Sequence, residues 1–351
     1  MNIGFYNPYF DSLSGGERYV LTLASHWSKA HDVSIFWNDT IILKKSQDRF
    51  HIDLSEVKVT PNIFQNESFV KKLFITSRYD LIFFLSDGSI PTTCARKNIL
   101  HFQVPFSRIS FPFWKKIMYQ KIICNSSFTQ RTIDERVGRN ANVIYPPVDV
   151  DCFRVGKKEK VILSVGRFSS FFQTKKQEIL IDIFTEGVKR GLLRDWKLIL
   201  AGGLLESDQE YVKLLKKKSN GLAIEFLPNI SFDALRDLYA KATFYWHAAG
   251  FGESDPTLME HFGITTVESM ASGCIPIVYN AGGQPEIVVH GKNGYVWDTK
   301  DECLKYTIDV IRSETLRNKL LSQSAITANK YSSEVFCRRF DEALNKIVKG
   351  Y

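Results

Sequence analysis

The stretch VILSVGRFSSFFQTKKQ, residues 161–177, decides the fold class. A short apolar run ends at Gly166, and cations follow it at Arg167, Lys175 and Lys176. A buried strand that ends at a glycine and continues into a polar loop is typical of one βα unit in a parallel sheet, where ligands lie at the carboxyl ends of the strands. Surface cations are usually just solvated. Because these follow a strand end, we expect the arginine and a lysine to bind a diphosphate.

Short apolar runs like this one recur along the chain and alternate with longer segments that have helical spacing. In the first half the runs read NIGFY, DVSIFW, DLIFFLS, NILHFQV, KIICNS and ANVIY, and in the second half KVILSVG, WKLILAGG, AIEFLP, TFYWHA and CIPIVY. This alternation predicts an α/β fold with two doubly wound parallel sheets, one in each half. We expect the two Rossmann-like domains to face each other across a ligand-binding cleft.

The domain boundary is expected in YPPVDVDCFRVGKKEK, residues 145–160, where two prolines and a charged run give the composition of a linker. Since 351 residues are too many for one comfortable core, we expect an N-terminal domain, residues 1–150, and a C-terminal domain, residues 151–331. Residues 332–351 have helical spacing and are expected to form a C-terminal helix that could pack back on the N-terminal domain.

The composition is that of an ordinary globular protein with a basic surface. The formal net charge of +8 favours an anionic partner, but no zinc-finger spacing, basic zipper or RNA-binding motif occurs, so we expect no nucleic acid. The six cysteines are scattered without a CxxC pair, as in reduced cytosolic proteins. No leader is apparent, and no apolar run reaches the roughly 20 residues of a membrane span. We expect a cytoplasmic protein, with peripheral attachment to the inner face of a membrane left open.

One segment bears on whether the protein attaches to a membrane. FPFWKKIMYQK, residues 111–121, mixes aromatic and aliphatic side chains with three lysines and contains no acid. Aromatic residues interleaved with lysines suit an anionic membrane interface. An amphipathic helix that packs on the protein core is the other interpretation, and both stay open.

The stretch EHFGITTVE, residues 260–268, carries two carboxylates eight positions apart. If a helix starts near Thr265, then Thr265 and Glu268 form a capping box. The free N–H groups of Gly263, Ile264 and Thr265 would then be available to a phosphate. Glu260 has no such local explanation, and we expect it near a sugar attached to that phosphate. Glu268 could in addition accept hydrogen bonds from the paired hydroxyls of a ribose.

A second glycine turn stands near the start of the chain, in SGGERYV. Gly15 and Gly16 follow the first predicted strand and open a helix, where backbone amides could approach an anion. A tight turn explains the pair equally well. No GxGxxG fingerprint occurs, which argues against a nicotinamide or flavin enzyme.

Taken in order, SGGERYV, SVGR followed by KKQ, EHFGITTVE, ESMASGCIPI and GGQPEIVVHGKNGYVW resemble the retaining glycosyltransferases of family 4, also called group 1, which have the GT-B fold. The resemblance implies metal-independent transfer of a hexose from a UDP- or GDP-sugar to an acceptor hydroxyl, with no cofactor. The EHFGI motif is close to that of dolichol-linked mannosyltransferases, which suggests a mannosyl donor and a lipid-linked or surface glycan as acceptor.

The resemblance also implies a role for each candidate residue. Arg167 and Lys175 would neutralise the donor phosphates, Glu260 would hold the donor sugar, and Glu268 would bind the ribose. His101, in ILHFQVP, matches a histidine that approaches the sugar and the reacting phosphate, although a satisfied histidine at a strand end is equally plausible. The other implied donor contacts are Gly15, Gly16, Leu227, Gly263, Ile264 and Thr265, with Leu227 beside the base.

Three features depart from the family pattern or leave it ambiguous. His261 replaces the usual glycine of an EGFG motif, although EHFG also occurs in the family. Lys176 competes with Lys175 as the phosphate ligand, and the K-x-Q spacing favours Lys175. The cluster Phe168, Phe171 and Phe172 has no assigned function.

A metal site is not expected. Asp149 and Asp151 form a DxD, but they follow two prolines in the expected linker, on the other side of the domain break from Arg167. The cationic side chains of the protein would neutralise the negative charge of the diphosphate instead of a metal ion. The competing functions are a sugar-nucleotide epimerase of the same architecture, a non-catalytic homologue and, on net charge alone, a nucleic-acid-binding protein.

Overall fold

The computed structural model describes residues 1–171 and 174–349. The chain divides into two compact units. The first unit comprises Met1–Pro147 and Ser333–Tyr351, and the second unit is Val148–Ser332. Within the described ranges no helix combines the length and the apolar character needed to cross a bilayer.

The first unit is built on a seven-stranded parallel sheet in the order β3-β2-β1-β4-β5-β6-β7. The strands are β1 Asn2–Tyr6, β2 Asp32–Phe36, β3 Val57–Thr60, β4 Leu81–Leu85, β5 Lys97–Phe102, β6 Lys121–Cys124 and β7 Ala141–Val143. Central strand β4, with the sequence LIFFL, is buried at every position because helices cover both faces of the sheet. This explains why the inner strands are continuous apolar runs in the sequence.

Seven helices of the first unit alternate with these strands along the chain. They are α1 Gly15–Ser28, α2 Ile41–Phe50, α3 Ile63–Asn66, α4 Phe69–Thr76, α5 Phe113–Met118, α6 Ser127–Thr132 and α7 Glu135–Gly138. A short 3-10 turn, Phe10–Ser12, precedes α1.

The second unit is built on a six-stranded parallel sheet in the order β10-β9-β8-β11-β12-β13. The strands are β8 Glu159–Val165, β9 Lys197–Gly202, β10 Ile224–Pro228, β11 Ala242–His247, β12 Ile275–Tyr279 and β13 Tyr295–Trp297. The helices are α8 Gln177–Lys189, α9 Gln209–Lys218, α10 Phe232–Lys241, α11 Ile264–Ala271, α12 Gln284–Ile287, α13 Lys300–Arg312 and α14 Glu314–Asn329. Three 3-10 turns are described as well, at Val150–Cys152, Glu206–Asp208 and Pro256–Leu258.

The last helix, α15 Ser333–Lys349, belongs to the first unit. Its apolar stripe of Phe336, Phe340, Leu344 and Ile347 is buried in the same core as α1. On its rim, Asp341 accepts hydrogen bonds from Trp27 Nε1 at 3.0 Å and His26 Nε2 at 2.8 Å. Burying an aromatic side chain of this kind contributes about 1.5–3 kcal/mol, which holds the helix on the sheet. Residues 350 and 351 of the expected C-terminal helix lie outside the described residues.

The predicted fold class is confirmed. Both sheets are parallel, both contain the Rossmann order 3-2-1-4-5-6, and all eleven strands expected from the sequence are present. Two strands were missed, β3 with the sequence VKVT and β13 with the sequence YVW. Each is short, lies at a sheet edge and is only partly buried, so neither produces an apolar run long enough to recognise.

Candidate functional site

In the second unit, the strand order reverses between β8 and β11, which are neighbours at the centre of the sheet. Ligands of doubly wound folds bind beyond the carboxyl ends of the strands at such a switch point. Strand β8 ends at Val165 and is followed by Gly166 and Arg167, and β11 ends at His247. The motif SVGR and a histidine not singled out in the sequence therefore lie at the place where a ligand is expected.

The loop from β8 to α8 is held against this edge by close backbone packing. A Cβ on Gly202 would lie 2.0 Å from the carbonyl oxygen of Gly166, and a Cβ on Gly166 would lie 2.6 Å from Lys175 Cγ. Gly202 therefore has to be a glycine, because the clash is with backbone, and a side chain at Gly166 would displace that of Lys175. Gln177 closes the loop, since its Nε2 donates to the carbonyl oxygen of Arg167 at 3.0 Å. The glycine and glutamine of the SVGR and KKQ motifs thus place Lys175 beside the strand end.

Lys175 and Glu260 meet at this edge. Lys175 Nζ lies 2.7 Å from Glu260 Oε2, and His247 Nε2 lies 3.2 Å from the same oxygen. The side chains of Lys175 and Glu260 are 17% and 19% exposed, whereas that of His247 is 3% exposed. This cluster of Lys175, Glu260 and His247, called here the edge cluster, is a cation and a histidine that converge on one carboxylate oxygen.

Burial and charge act in opposite directions on these groups. Burial raises the pKa of Glu260, but Lys175 and the hydrogen bond from His247 outweigh it and hold that pKa well below its ordinary value of 4.5. Burial lowers the pKa of His247, and Glu260 only partly restores it. At neutral pH the cluster therefore contains an ionised carboxylate and a neutral histidine beside Lys175.

The segment Gly282–Gln284 packs against two members of the edge cluster, Glu260 and His247. Gly283 N donates to the carbonyl oxygen of Glu260 at 2.8 Å, and a Cβ on Gly282 would lie 2.0 Å from that oxygen. Gln284 Nε2 lies 3.4 Å from His247 Nε2, while Thr266 Oγ1 donates to Gln284 Oε1 at 2.9 Å. The GGQ motif thus contacts both the backbone of Glu260 and its histidine partner.

The two neighbouring lysines have different partners. Lys175 pairs with Glu260, whereas Lys176 Nζ lies 2.6 Å from Glu253 Oε1. Lys176 adopts a left-handed conformation with φ of 54°, which turns consecutive side chains apart. This separation supports Lys175, not Lys176, as the lysine of the candidate site.

The expected capping box at Thr265 and Glu268 is wrong. Helix α11 begins one residue earlier, and its N-cap is Gly263, with φ of 115° and no side-chain cap. Thr265 therefore lies inside the first turn, where its Oγ1 is 2.7 Å from Tyr245 Oη. Glu268 is buried one turn later and accepts a hydrogen bond from Tyr239 Oη at 3.1 Å. A glycine that can adopt positive φ ends the loop where the sequence suggested a threonine.

The N-terminus of α11, at Gly263 and Ile264, follows Glu260 of the edge cluster closely in the sequence. In the described part of the chain, no acceptor is found for the backbone N–H groups of Gly263, Ile264 and Thr265. A Cβ on Gly263 would lie 2.4 Å from Gln284 Nε2, so the glycine also allows the GGQ segment to pack here. The eight-residue helix begins with three free donors and a positive dipole end.

The remaining candidate residues of the second unit are not part of the edge cluster. Arg167 is exposed and forms no ion pair with any described residue. Leu227 lies in β10 and is partly exposed. Of the phenylalanine cluster, Phe168 is buried in the core and Phe171 is exposed, whereas Phe172 lies outside the described residues.

In the first unit, Gly15 and Gly16 open α1 as expected, and a capping box precedes them. The Ser14 side chain and the Glu17 backbone and side chain form it, with Ser14 N donating to Glu17 Oε2 at 2.8 Å. Asn7, directly after β1, donates to the other Glu17 oxygen at 2.9 Å. The signal S-x-x-E was present in SGGE and was overlooked.

His101 is buried in the first unit and does not reach the surface. Its Nδ1 donates to the carbonyl oxygen of Ile123 at 3.1 Å, its Nε2 lies 3.1 Å from Gln103 Nε2, and its ring stacks on Tyr19 at 4.0 Å. Burial lowers its pKa to about 3, so the ring is neutral. Gln103 also lies close to Gly16, where a Cβ would be 2.7 Å from Gln103 Oε1. The structure thus connects His101 to Gly16 through a glutamine that the sequence analysis missed.

The location argued for the DxD is wrong. Asp149 and Asp151 both belong to the second unit, where Asp149 precedes and Asp151 lies within the turn Val150–Cys152 beside α11. Asp149 Oδ2 accepts a hydrogen bond from Cys152 Sγ at 2.8 Å. Among residues 1–171 and 174–349, no group of three or more His, Cys, Asp or Glu side chains has an arrangement that could hold a metal ion.

Comparison with known proteins gives two family matches. The model of the glycosyl transferases group 1 matches residues 152–325, and the model of glycosyltransferase family 4 matches residues 13–152. Together they span both units.

Among curated proteins, the human GDP-Man:Man(3)GlcNAc(2)-PP-Dol alpha-1,2-mannosyltransferase is 28% identical over 250 residues, which is 65% of this chain and 49% of that relative. The chain thus spans about half the length of the curated relatives it matches.

Solved structures show the same fold at low sequence identity. The crystal structure of Anabaena Alr3699/HepE in complex with UDP has a TM-score of 0.75 and 20% identity, and covers 99% of this chain and 100% of that one. A glycosyltransferase from Rickettsia africae has a TM-score of 0.77 and 18% identity, and covers 100% of this chain and 99% of that one.

Proposed function

This chain belongs to the group 1 and family 4 glycosyltransferases, which have the GT-B fold, and we propose that it transfers a hexose from a nucleoside diphosphate sugar to an acceptor hydroxyl with retention of configuration. The edge cluster carries the proposal. It places a lysine and an ionised carboxylate 2.7 Å apart at the carboxyl edge of a Rossmann-like sheet, where a sugar and its diphosphate need one of each.

The leaving diphosphate gains negative charge as the bond from the sugar C1 to the phosphate oxygen breaks. Arg167 and Lys175 supply positive charge, and the free amides of Gly263 to Thr265 supply oriented dipoles. Preorganised donors and cations of this kind are usually the largest contribution to catalysis. Because Arg167 has no ion-pair partner among the described residues, it can approach a phosphate without first breaking a pair.

Glu260 binds the donor sugar in this proposal and does not act as a base. Its low pKa keeps it ionised, and an ionised carboxylate can accept hydrogen bonds from sugar hydroxyls. The acceptor oxygen forms the new bond to C1 on the face that the diphosphate leaves, and a phosphate oxygen takes the acceptor proton. The chemistry thus differs from that of a glycosidase, which needs two carboxylates as acid and nucleophile.

The nucleoside half of the donor is assigned to α11 and β10. Glu268 accepts the ribose hydroxyls, and Leu227 lies beside the base. Tyr239 already donates to Glu268 Oε2, which fixes one carboxylate oxygen. In the first unit the same proposal assigns the amides of Gly15 and Gly16 to the donor phosphates, and assigns His101 an effect through Gln103.

GDP-mannose is the donor best supported. Relatives that are 25–31% identical to this chain are named as GDP-Man:Man(3)GlcNAc(2)-PP-Dol alpha-1,2-mannosyltransferases. A thermal-shift screen with GDP, UDP, ADP and their sugars tests the donor, since a ligand that binds only the folded state raises the melting temperature. We expect the largest rise with GDP and GDP-mannose. A rise only with UDP compounds would contradict this choice of base and leave the reaction class intact.

The proposed reaction needs no divalent metal, because the cationic side chains and backbone amides of the protein stabilise the negative charge of the diphosphate. Activity should therefore persist in excess EDTA. The matched variant is Asp149→Ala/Asp151→Ala, which removes the DxD and should keep most of the activity. Loss of activity in EDTA with recovery on adding Mn²⁺ or Mg²⁺ would overturn metal independence and return attention to that pair.

The acceptor is proposed to be lipid-linked and reached at an anionic membrane. Helices α4 and α5 expose six large apolar side chains, called here the aromatic patch: Phe69, Val70, Phe74, Phe113, Trp114 and Ile117. Helix α5 itself has no buried residue, although Tyr119 directly after it is buried and Phe111 and Met118 pack against the core of the first unit. Hydrogen bonds to one loop connect the two helices: Cys94 N donates to Thr76 Oγ1, and Lys115 Nζ donates to the Ile90 carbonyl oxygen.

Basic side chains accompany the aromatic patch. Arg78 lies over the Phe74 ring at 4.7 Å, and Lys115 Nζ lies 5.5 Å from the Trp114 ring centre. Lysines with aromatic residues favour the headgroup region of an anionic bilayer.

Flotation with anionic and neutral vesicles tests this surface. We expect binding to anionic vesicles at low salt, and its loss in Phe113→Ser/Trp114→Ser/Ile117→Ser. No binding by the wild-type protein would remove the membrane from the proposal.

A sugar-nucleotide epimerase remains the second candidate because it shares the architecture. Incubation with the sugar nucleotide alone separates the two, since an epimerase changes the donor without an acceptor. A non-catalytic homologue would leave the donor unchanged in every assay.

A further inference from the structure

We propose that His247 is a positioning residue for the donor sugar: it fixes the Glu260 carboxylate so that one oxygen is bound by the protein and the other is left for the sugar. This inference rests on the proposed glycosyltransferase function. It concerns a residue outside every motif singled out in the sequence.

Both protein donors reach the same carboxylate oxygen. Lys175 Nζ and His247 Nε2 contact Glu260 Oε2 at 2.7 Å and 3.2 Å, whereas no described residue donates to Oε1. An ionised carboxylate has capacity for more than one hydrogen bond on each oxygen. The arrangement therefore leaves an unused acceptor on a side chain that is partly exposed at the switch point of the sheet.

The histidine can only act as a neutral donor in this position. Facing a carboxylate, its Nε2 must carry the proton, which places the lone pair on Nδ1. That Nδ1 is buried and has no hydrogen-bond partner among the described residues. A buried polar atom without a partner is destabilising, and such atoms are rare in folded proteins.

The surrounding residues hold the ring in place. Gln284, whose Oε1 accepts from Thr266 Oγ1, packs against the ring, and because Nε2 carries the proton the 3.4 Å contact between the two nitrogens is packing and not a hydrogen bond. The ring of Tyr245, two residues earlier on β11, is inclined by 28° to the His247 ring, with the ring centres 6.4 Å apart. These contacts leave the imidazole little freedom to rotate, so the orientation of the Glu260 carboxylate follows from the position of β11.

A merely structural role and a positioning role predict opposite effects of an apolar replacement. If His247 only supports the fold, His247→Leu should lower the melting temperature and weaken every ligand equally. If it positions Glu260, His247→Leu removes an unsatisfied buried nitrogen, and so the melting temperature should stay the same or rise. The loss should then appear only in steps that need the sugar.

The experiment compares wild type with His247→Leu, His247→Gln and the control His290→Leu, which replaces an exposed histidine of the same unit. Melting temperature, affinity for the free nucleoside diphosphate, and kcat and KM for the nucleotide sugar are measured for each. We expect His247→Leu to lower kcat/KM by about 10- to 100-fold, the range for losing a hydrogen bond to a charged group. Its diphosphate affinity should stay within about twofold of wild type. His247→Gln, which retains an N–H donor, should recover most of the loss, and His290→Leu should match wild type.

Two results would overturn the inference alone: wild-type kinetics in an active His247→Leu protein, or parallel losses of melting temperature and diphosphate affinity in that variant. A wild-type protein that neither binds nor turns over any nucleotide sugar would overturn the proposed function and this inference together.

Discussion

The contact between Lys175 and Glu260 has a consequence for nucleotide binding. In the structure the lysine assigned to the phosphates is paired with the carboxylate assigned to the sugar. A diphosphate must therefore share Lys175 with Glu260, which reduces the gain from the phosphate contact. Removing the carboxylate would leave the lysine wholly to the phosphate.

Glu260→Ala should accordingly abolish transfer while the free nucleoside diphosphate binds as well as, or more tightly than, it binds wild type. Isothermal calorimetry with the nucleoside diphosphate measures this directly. Glu260→Gln is the matched variant, because it keeps the shape and removes the charge. A clear loss of diphosphate affinity in both variants would contradict the assignment of Glu260 to the sugar.

Glu268 should behave differently from Glu260. If it binds the ribose, Glu268→Ala should weaken the nucleoside diphosphate by about 1–3 kcal/mol, as expected for lost hydrogen bonds to a charged group. Tyr239→Phe serves as control, since it removes only the hydroxyl that donates to Glu268 and should have a smaller effect. Unchanged nucleotide affinity in Glu268→Ala, by the same calorimetry, would assign Glu268 a structural role.

Buried histidines predict how stability depends on pH. Burial lowers the pKa of His101 from 6.5 to about 3 and that of His261 from 6.5 to about 4. The unfolded chain therefore takes up protons from about pH 6.5 downward that the folded chain does not, so stability falls as the pH falls from about 6.5 towards 4. Urea unfolding at pH 7.5, 6 and 5 should show this decline, with a shallower slope in His101→Gln. Equal stability at these three pH values would contradict the buried, neutral histidines.

Helix α11 depends on a glycine instead of a capping threonine. Gly263 has φ of 115°, and a Cβ there would lie 2.4 Å from Gln284 Nε2. Gly263→Ala should therefore destabilise the protein by at least about 1 kcal/mol, the cost of forcing a side chain into the left-handed region. It should also impair activity through Gln284.

Thr265→Val is the comparison for this prediction. It removes a hydroxyl that contacts Tyr245 but no cap, so its effect on the unfolding free energy should be smaller than that of Gly263→Ala. Thermal unfolding of the two variants decides between them. A larger loss in Thr265→Val would restore the capping box that the sequence suggested.

The helix starts show what local sequence rules can and cannot give. The pattern S-x-x-E is present at Ser14 and Glu17, and there the capping box forms. T-x-x-E is present at Thr265 and Glu268, and there it does not, because Gly263 begins the helix and Tyr245 and Tyr239 engage the two side chains. Both tyrosines lie about 20 to 30 residues earlier in the chain, so the outcome depends on tertiary contacts.

The fold as a whole was accessible from the sequence because inner parallel strands are buried on both faces and read as apolar runs. The edge strands β3 and β13 were not, since each is short and only partly buried. Of the candidate site, Lys175 and Glu260 were found from motifs, and the structure brings them into contact across 85 residues of sequence. His247 and Gln103 carry no motif of their own, and Gln284 lies in the GGQ motif without having been singled out. The significance of His247 and Gln284 arises from the strand order of the second sheet, and that of Gln103 from its contact with His101 in the first unit.

The central claim is that the edge cluster and Arg167 serve transfer from a nucleotide sugar. The most direct test incubates the purified protein with GDP-mannose and a lipid extract that contains lipid-linked acceptors, and measures released GDP and mannosylated lipid by mass spectrometry. Wild type should form product. Arg167→Ala should raise the activation free energy by at least about 2–3 kcal/mol, which makes transfer roughly 30- to 150-fold slower, as expected for loss of a preorganised donor. Equal rates in the two proteins, or no release of a nucleoside diphosphate from any GDP-, UDP- or ADP-sugar, would contradict it.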